Sequence, residues 1–377
     1  MMKTVRDIPK LLGKKVLVRA PLNEPVEDGK ITSDFRLRRA ILTIKFLTQA
    51  NARVVVIGHI GRSPSETLEP VYNALEKKLP KVSFLKDIIG AEAHKAVDSL
   101  DNGEVLLLEN LRSNPGEIEN NQDFARALAS LGDVFVQDAF DTCHRGHASI
   151  VGVPKFIPSY AGLLLEEEIN ALNIARTPKH PALAIIGGAK FATKEPVLHT
   201  LLSTYDKVFV GGALANDFLI GKGFQMQRSL VSNAEPSAIK ELLAYDNLIL
   251  PKDVVVAPEG ADVNQSRVSK PDGLSFGDSA YDIGTDTIDM LDKLSNEMKT
   301  IIWNGPLGNY ERGFKNDTSL ARTIANSSSH SIIGGGDTVA EIDALGLSES
   351  FSFVSTGGGA MLDFLTEGTL PGISALG

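Results

Sequence analysis

The sequence predicts an α/β protein built from two doubly wound lobes, each around a parallel sheet. The chain of 377 residues is too long for one ordinary core, and domains of about 100 to 200 residues predict two. Short apolar runs alternate with amphipathic helical segments along both halves. These runs are continuously rich in Val, Ile and Leu, which is typical of parallel strands that helices cover on both faces.

The composition narrows the class of protein. A hydrophobic content of 43% and a charged content of 23% describe a globular chain. The net charge of -9 argues against general nucleic-acid binding. The single cysteine, Cys143, excludes an intramolecular disulfide and a cysteine-based zinc site, which suits a reducing compartment. No apolar run is long enough to span a membrane and residues 1–15 lack a secretory core, so we expect a cytoplasmic protein.

The first half supplies one lobe. Its predicted strands are 16–18, 54–57, 82–85, 105–108 and 134–136, and its predicted helices are 34–49, 71–79, 91–100 and 123–131. Pro154 and Pro158 then interrupt the alternation. Residues 160–176 are predicted to form one helix that ends before Thr177-Pro178, and the domain boundary is expected along it.

The second half repeats the alternation. Its predicted strands are 182–186, 208–210, 248–250, 300–303, 331–333 and 351–355, and most are followed by a helix. Residues 259–278 are dense in Gly, Ser, Asp and Pro, which predicts a surface loop or small hairpin. The expected domains are therefore 1–158 and 179–360, joined by an interdomain helix within 159–178 and followed by a tail, 361–377.

Basic and polar side chains follow four separate strands of the first half. Any one arginine is ordinarily a solvated ion pair. Ligands of an open α/β sheet, however, bind beyond the carboxyl ends of the strands, where such residues converge. Guanidinium groups suit a phosphate and a carboxylate, so we expect a small-anion site. Its candidates are Arg19, Asn23, Arg36, His59, Arg62, Asn110, Arg112, His144, Arg145 and His147.

Glycines follow the strands of the second half instead. Gly334, Gly335 and Gly336 precede Asp337 and Thr338, where a helix is expected to begin, and this pattern is typical of a phosphate cradle. A dinucleotide fingerprint is a second interpretation, but strand 351–355 ends without the acid which that motif requires. A tight strand-to-helix turn with an N-cap acid is a third.

Two lysines and further glycines favour a nucleotide site. Lys190, Lys194, Glu311 and Asp337 suit a nucleotide polyphosphate with one magnesium ion. Walker and protein-kinase signatures are absent. The other strand-end residues of this set are Gly187, Gly188, Gly211, Gly212, Asn304, Gly305, Pro306 and Gly357 to Gly359. A small anion in one lobe and a nucleotide in the other predict phosphoryl transfer, and a carboxylate acceptor needs no general base because it is already ionised.

These motifs, in their order, resemble those of the phosphoglycerate kinase family over essentially the whole chain. Among them are Gly58 to Arg62, Glu109 to Arg112, His144 to Ser149, Gly187 to Lys190, Trp303 to Pro306 and Gly334 to Thr338. The resemblance implies two Rossmann-like lobes joined by a helix, with the tail returning to the first lobe. It further implies a monomer that uses magnesium. The implied glycolytic reaction moves a phosphoryl group in line, across a closing cleft, between 1,3-bisphosphoglycerate with ADP and 3-phosphoglycerate with ATP.

The resemblance also implies residue roles. Phosphoglycerate would be held by Pro21, Leu22, Asn23, Arg36, His59, Arg62, Arg112, His144, Arg145 and His147. Arg36 would lie nearest the reacting carboxylate, Lys190 would stabilise the phosphoryl group in flight, and the amides of Gly358 and Gly359 would receive developing charge. Nucleotide would be held by Lys194, Gly211, Gly212, Asn304, Pro306, Glu311, Gly334, Gly335, Gly336 and Thr338, with magnesium at Asp337.

Three positions depart from the family's pattern. Pro21 and Thr193 stand where the family has aspartates, and Asp141 stands where it has a glycine. These departures bear on substrate affinity more than on reaction type. Two other classes stay open from the sequence: a pseudoenzyme that binds only nucleotide, and a two-lobed solute-binding protein, which would need an export signal.

Overall fold

The computed structural model describes residues 2–377, and the chain divides into two compact units. Residues 2–170 and 369–377 form the first unit, and Ala171–Gly368 form the second. The division falls inside a single helix, Leu163–Arg176. Within residues 2–377, no helix has both the length and the apolar character needed to cross a bilayer.

The first unit is built on a parallel sheet. Its strands are β1 (Lys15–Arg19), β2 (Val26–Glu27), β3 (Lys30–Ile31), β4 (Arg53–Ile57), β5 (Val82–Leu85), β6 (Val105–Leu108), β7 (Val134–Gln137) and β8 (Ser159–Ala161). Its helices are α1 (Phe35–Gln49), α2 (Glu69–Leu75), α3 (Ala91–Asp98), α4 (Pro115–Ile118), α5 (Gln122–Ala129) and the start of α6 (Leu163–Arg176). The sheet order is β5-β6-β4-β1-β7-β8, with every neighbouring pair parallel, while β2 and β3 form a separate antiparallel ribbon.

Burial on both faces explains the uninterrupted apolar runs of this sheet. Every residue of β6 and β7 is buried. β1 lies between β4 and β7, where Val16 pairs with both Val54 and Val134. Helix α1 covers one face through buried residues at helical spacing, including Leu37, Ile41 and Ile44. The doubly wound prediction for this half is confirmed.

The start of the interdomain helix was predicted wrongly. Residues 159–161, placed mainly in the predicted helix 160–176, form β8, which pairs in parallel with β7. The helix begins only at Leu163. The reason is local hydrogen bonding, because Asp138 Oδ1 accepts from the amides of Leu164 and Leu165 at 3.0 and 3.2 Å. Tyr160 is 8% exposed and belongs to the core of the first unit.

The second unit contains a comparable parallel sheet. Its strands are β9 (Ala182–Ile186), β10 (Lys207–Val210), β11 (Leu248–Ile249), β12 (Val254–Pro258), β13 (Arg267–Ser269), β14 (Asp278–Ile283), β15 (Thr300–Asn304), β16 (His330–Gly334) and β17 (Phe353–Val354). Its helices are α7 (Glu195–Thr204), α8 (Leu214–Gly221), α9 (Pro236–Leu243), α10 (Thr285–Glu297), α11 (Asp317–Asn326), α12 (Gly336–Ala344) and α13 (Gly358–Glu367), and α14 (Pro371–Ser374) follows in the first unit. The parallel order is β11-β10-β9-β15-β16-β17.

A three-stranded antiparallel sheet is the part of the second unit that the sequence did not predict. Its order is β13-β12-β14. The segment 259–278, predicted as a loop or small hairpin, connects β12 to β14 and contains β13. Val255 and Ala257 of β12 pack with Phe314 in a small core of their own. This core stabilises the sheet and makes it one wall of the groove described below.

Candidate active site

Arg19, the last residue of β1, is the buried centre of a basic site in the first unit. It is 1% exposed. Its Nε donates to Ser149 Oγ at 3.1 Å and its Nη1 donates to the Ala20 carbonyl at 2.6 Å. Ser149 Oγ donates in turn to Glu117 Oε1 at 2.6 Å. Ser149 thus joins the buried guanidinium to the buried carboxylate of Glu117, a residue that the sequence analysis did not identify.

His59 lies directly beside Arg19. Arg19 Nη2 and His59 Nδ1 are 2.9 Å apart, and His59 is 3% exposed. Burial lowers the pKa of His59 well below its usual value, and the charges of Arg19, Arg112 and Arg145, with His147, lower it further. His147 has its pKa lowered to about 4, first by burial and then by the same arginines and His144. Arg19, Arg112, Arg145 and His147, four of the basic residues predicted to converge, therefore lie around His59.

Asn110 and Arg112 connect two loops of this site. Asn110 Nδ2 donates to the carbonyls of Ile60 and Glu66 at 3.0 and 2.8 Å, and Asn110 Oδ1 accepts from the amide of Arg112 at 3.2 Å. Arg112 Nη1 donates to the Gly61 carbonyl. Asn110 is fully buried, so its function is to hold the loops.

Arg36 and Asn23 connect the start of α1 to the same loops. Arg36 Nη1 donates to the Asn23 carbonyl at 3.1 Å, and Asn23 Oδ1 accepts from the amide of Gly61 at 2.8 Å. Glu24 Oε2 lies 3.7 Å from Arg36 Nη1, and Glu24 Oε1 accepts from the amide of Leu37 at 2.7 Å. Burial raises the pKa of Glu24 to about 7. Two strand-end loops and a helix start thus share one network.

Three predicted site residues of the first unit lie outside the side-chain hydrogen-bond networks described above. Arg62 is exposed and makes no hydrogen bond or ion pair within residues 2–377. Pro21 is buried, and the Leu22 side chain is fully buried against Gly58. The side chain of Leu22 belongs to the core and is not available to a ligand from solvent.

Glycines bring two helix starts together in the second unit. Helix α12 begins at Gly336, two residues before the predicted start at Thr338, and its N-cap is Gly335 with φ of 97°. A Cβ on Gly335 would lie 2.9 Å from the amide nitrogen of Gly305, so only glycine fits. A Cβ on Gly358, the first residue of α13, would lie 3.1 Å from Gly335 Cα. The two positive helix ends therefore adjoin, which favours an anion.

Asp337 is exposed to solvent, whereas its neighbour Thr338 is buried. Asp337 lies inside the first turn of α12 and is exposed, so the interpretation of it as an N-cap acid is wrong. Thr338 is fully buried, which leaves only its backbone amide for a ligand. Gly211 and Gly334 are packed as well, since a Cβ on them would lie 2.6 Å from Leu307 Cδ2 and 2.1 Å from Met361 Sδ.

Asn304 orients Lys194 beside these helix starts. Lys194 Nζ donates to Asn304 Oδ1 at 2.8 Å, and Asn304 Nδ2 donates to the Gly358 carbonyl at 3.3 Å. Burial lowers the pKa of Lys194 to about 8. The Lys190 side chain, in contrast, is exposed and has no hydrogen bond or ion pair within the part of the chain that the structure describes. One lysine is held in place and the other is free to meet a ligand.

A groove of about 1290 Å³ runs along α12 within the second unit. Residues 337, 340, 341 and 344 of α12 and its C-cap Leu345 line it, and the spacing of the helical residues places them on one helix face. From Asp337 to Ala344 the helix rises about 10 Å at 1.5 Å per residue. Opposite walls come from Gly188, Gly212, Pro306, Glu311, Ser279 and Tyr281. The groove can hold an elongated ligand whose anionic end lies at the helix start.

A partly buried carboxyl cluster, which the sequence did not predict, lies in the wall of the groove. Tyr310 Oη contacts both Asp317 Oδ1, at 2.7 Å, and Glu341 Oε2. Thr318 Oγ1 donates to Glu341 Oε1 at 2.7 Å. Burial raises the pKa of Glu341 to about 7 and that of Asp317 to about 6. A tyrosine hydroxyl has one proton for two acceptors, so Glu341 as a carboxylic acid completes the network.

The metal-binding side chains of the structure suit magnesium only when a nucleotide supplies further oxygen ligands. Within residues 2–377 no group of three His, Cys, Asp or Glu residues is placed to hold a metal ion. Asp337 lines the groove and makes no hydrogen bond or ion pair among the described residues, so both of its oxygens are available. One carboxylate with phosphate oxygens and waters is a normal magnesium environment.

Comparisons with known proteins identify the family of the chain. A sequence model of the family described as "Phosphoglycerate kinase" matches residues 5–368. The phosphoglycerate kinase of Pelotomaculum thermopropionicum is 39% identical over 388 residues, which cover 99% of this chain and 98% of the relative.

Two solved structures share the fold. Phosphoglycerate kinase from Coxiella burnetii has a TM-score of 0.84 at 37% identity, covering 100% of this chain and 99% of that one. The enzyme from Pyrococcus horikoshii OT3 has a TM-score of 0.90 at 31% identity, covering 100% and 98%. The chain therefore belongs to the phosphoglycerate kinase family, the glycolytic kinases that move a phosphoryl group between 1,3-bisphosphoglycerate with ADP and 3-phosphoglycerate with ATP.

Proposed function

We propose that the two units divide the two substrates of this reaction. Phosphoglycerate binds at the basic site of the first unit, and ADP or ATP binds in the groove of the second. The observation that carries this division is the cluster of Arg19, Arg112, Arg145 and His147 around His59, all in the first unit. The second unit instead offers glycines and helix starts, which suit a polyphosphate.

The first unit holds the acceptor. Arg36, Arg62, Arg112 and Arg145 neutralise the phosphate and carboxylate of phosphoglycerate, and Asn23 and His59 add uncharged contacts. Arg36 lies nearest the reacting carboxylate. Leu22 contributes through its backbone, and Pro21, His144 and His147 border the site. The acceptor carboxylate is ionised at neutral pH, so no side chain needs to remove a proton.

The second unit holds the donor. The phosphates lie at the starts of α12 and α13, beside the amides of Gly335, Gly336 and Thr338 and the ammonium of Lys194. Gly212, Asn304, Pro306 and Glu311 border the nucleotide, with Gly211 and Gly334 packed behind them. Magnesium, held by Asp337 and the phosphates, would neutralise charge on the nucleotide.

Transfer joins the two sites. A carboxylate oxygen of 3-phosphoglycerate attacks the γ-phosphorus of ATP in line, and the bond from that phosphorus to the leaving oxygen of ADP breaks. Lys190 and the amides of Gly358 and Gly359 stabilise the negative charge of the phosphoryl group in flight. We further propose a cytoplasmic monomer whose two substrates meet by closure, and the buried free thiol of Cys143 suits a reducing compartment.

A coupled assay tests the proposal. Purified protein with MgATP and 3-phosphoglycerate should produce 1,3-bisphosphoglycerate, which is trapped by a coupling dehydrogenase that oxidises NADH. Omitting 3-phosphoglycerate is the control. A folded protein that binds ADP but gives no 3-phosphoglycerate-dependent turnover would contradict the proposal and identify a nucleotide-binding pseudoenzyme.

A further inference from the structure

Arg19 and His59 form a pair whose proton positions are fixed by chemistry. A guanidinium has only donors, so His59 Nδ1, 2.9 Å from Arg19 Nη2, must accept. An accepting Nδ1 carries no proton, and the ring is then neutral with its proton on Nε2. Within residues 2–377 His59 Nε2 has no hydrogen-bond partner. It is the one polar atom of this pair left for a ligand.

We propose that Arg19 is a positioning residue that fixes His59 as a neutral Nε2–H donor to the phosphoglycerate. This inference rests on the proposed function for the identity of the ligand. The state of His59 itself is a property of the ligand-free protein. At a site that contains several arginines, His59 would then be a donor that carries no charge.

The surroundings of Arg19 exclude a direct contact with substrate. Arg19 is 1% exposed, and its three nitrogens are directed to Ser149 Oγ, the Ala20 carbonyl and His59. Glu117 lies behind Ser149, where it accepts from both the Ser149 hydroxyl and the Ser149 amide. A guanidinium held on three sides has a fixed orientation, which suits orienting a neighbour.

The charges around the pair maintain the neutral imidazole. His59 faces the positive charges of Arg19, Arg112 and Arg145 and the ring of His147. Arg19 itself faces Glu117, Asp141, the thiol of Cys143 and Arg145. The carboxylates of Glu117 and Asp141 act on Arg19, so they stabilise its guanidinium. The charges of Arg19, Arg112 and Arg145 act on His59, so they oppose the addition of a second proton to its ring. The ring therefore stays neutral across the pH range in which an ordinary histidine titrates.

A neutral donor has a functional consequence. An imidazolium would add charge to a site that already contains several arginines, and its charge would vary with pH. An Nε2–H group adds a hydrogen bond of fixed direction instead. Substrate affinity then does not follow the titration of a histidine near neutral pH.

The state of His59 is measurable by nitrogen NMR. Two-bond proton–nitrogen spectra of histidine-labelled protein, with His59 assigned through His59→Gln, distinguish protonated from unprotonated ring nitrogens for each of the seven histidines. We expect Nδ1 unprotonated and Nε2 protonated from about pH 5.5 to 8, a range that brackets the ordinary histidine pKa. A proton on Nδ1, or a charged ring near pH 6.5, would overturn the proposal even without a variant.

Two Arg19 variants separate positioning from packing. Arg19→Lys retains a donor-only cation, whereas Arg19→Gln is neutral and can accept. In Arg19→Gln we expect part of the His59 population to carry its proton on Nδ1, because glutamine can accept as well as donate, and the KM for 3-phosphoglycerate to rise about 2- to 12-fold, the value of one neutral hydrogen bond. Arg19→Lys should preserve the tautomer, and the KM for ATP should not change in either variant.

A matched control is Arg53→Gln at the opposite end of the sheet, where Arg53 Nε donates to the Gly13 carbonyl at 3.0 Å. It should leave His59 and both KM values unchanged. An unaltered His59 spectrum in Arg19→Gln, or an altered spectrum without any change in the KM for 3-phosphoglycerate, would contradict the proposal. Absence of turnover in the wild type would instead contradict the proposed function.

Discussion

Lys190 and Arg62 are exposed cations to which we assign opposite kinetic roles. Lys190→Ala should lower kcat by about 10² to 10³, because loss of a preorganised charge costs about 3 to 4 kcal/mol in the transition state. Its KM values should change little. Steady-state kinetics with both substrates varied tests these expected changes in kcat and KM. Lys222→Ala, which changes an exposed lysine of the same unit, is the control. A raised KM with normal kcat would refute the assigned role.

Arg62→Ala is the complementary variant. Arg62 has no partner within residues 2–377, so its removal leaves no buried group unsatisfied. We expect a higher KM for 3-phosphoglycerate, by about 10-fold or more for a charged hydrogen bond, and an unchanged affinity for ADP. Calorimetry with each ligand separates the two effects, and equal weakening of both ligands would argue against separate sites.

Lys194 should make nucleotide binding depend on pH. Burial lowers its pKa to about 8, so the positive charge is present below that pH and is lost above it. The Kd for ADP should therefore rise between about pH 7.5 and 9.5, a range that spans the lowered pKa. Lys194→Arg should remove this rise, because arginine stays charged. The same rise in the arginine variant would assign the effect to another group.

Residue types were easier to predict from the sequence than their burial. Arg19, Arg112 and Arg145 lie around His59, because parallel strands bring their carboxyl ends to one edge of the sheet. Nothing in the sequence distinguishes the buried Arg19 from the exposed Arg62. Thr338 and Gly334 likewise match a ligand-binding pattern, yet they pack inside, since that depends on tertiary neighbours such as Met361.

Among the elements, helix α6 begins at Leu163 because Asp138 caps the amides of its first turn. Asp138 Oδ1 accepts from the amides of Leu164 and Leu165, and Thr43 Oγ1 accepts from the amide of Leu163 at 3.0 Å. Asp138→Ala should lower the free energy of unfolding by about 1 to 3 kcal/mol, because it leaves buried amides unsatisfied.

Asp138→Asn keeps the accepting oxygen and should cost less. Urea unfolding followed by circular dichroism compares the two variants. Equal losses would show that the charge of Asp138, rather than the capping oxygen, is what stabilises the start of the helix.

The first residue of α6 could not be predicted from the sequence alone. A continuous apolar and acidic segment at 160–176 predicts a helix through propensity alone. Pairing with β7 competes for residues 159–161 and wins, because the edge of the parallel sheet offers backbone partners. The strands β12, β13 and β14 escaped prediction for a related reason: their short runs depend on pairing with one another and not on a long local pattern.

At the scale of the whole molecule, buried and half-buried carboxyl groups should make stability fall as the pH rises. Burial raises the pKa values of Glu24, Asp282 and Glu341 to about 7 each. Between the ordinary pKa and the raised one, the folded protein binds more protons than the unfolded chain. The stabilisation is complete at low pH within this window and is lost as the pH rises through about 7. We expect a higher Tm near pH 5.5 than near pH 8.

Glu341→Gln isolates one of these groups. The amide can donate to Tyr310 and accept from Thr318 as the protonated acid does. The variant should raise Tm near pH 8 and change it little near pH 5.5, because only the ionised form is costly. Glu349→Gln, an exposed change of the same charge, is the control. Equal effects of the two variants at both pH values would mean that net charge is responsible.

Closure is the prediction that requires the whole chain. The proposed acceptor and donor sites belong to different units, and α6 carries the chain from one unit to the other between Asn170 and Ala171. Phosphoryl transfer needs the reacting groups in contact and water excluded, and each ligand supplies only half of those contacts. Small-angle scattering with 3-phosphoglycerate, MgADP and their non-reacting mixture should therefore give its lowest radius of gyration for the mixture. With binding of both ligands verified by calorimetry, an unchanged profile in the mixture would exclude closure.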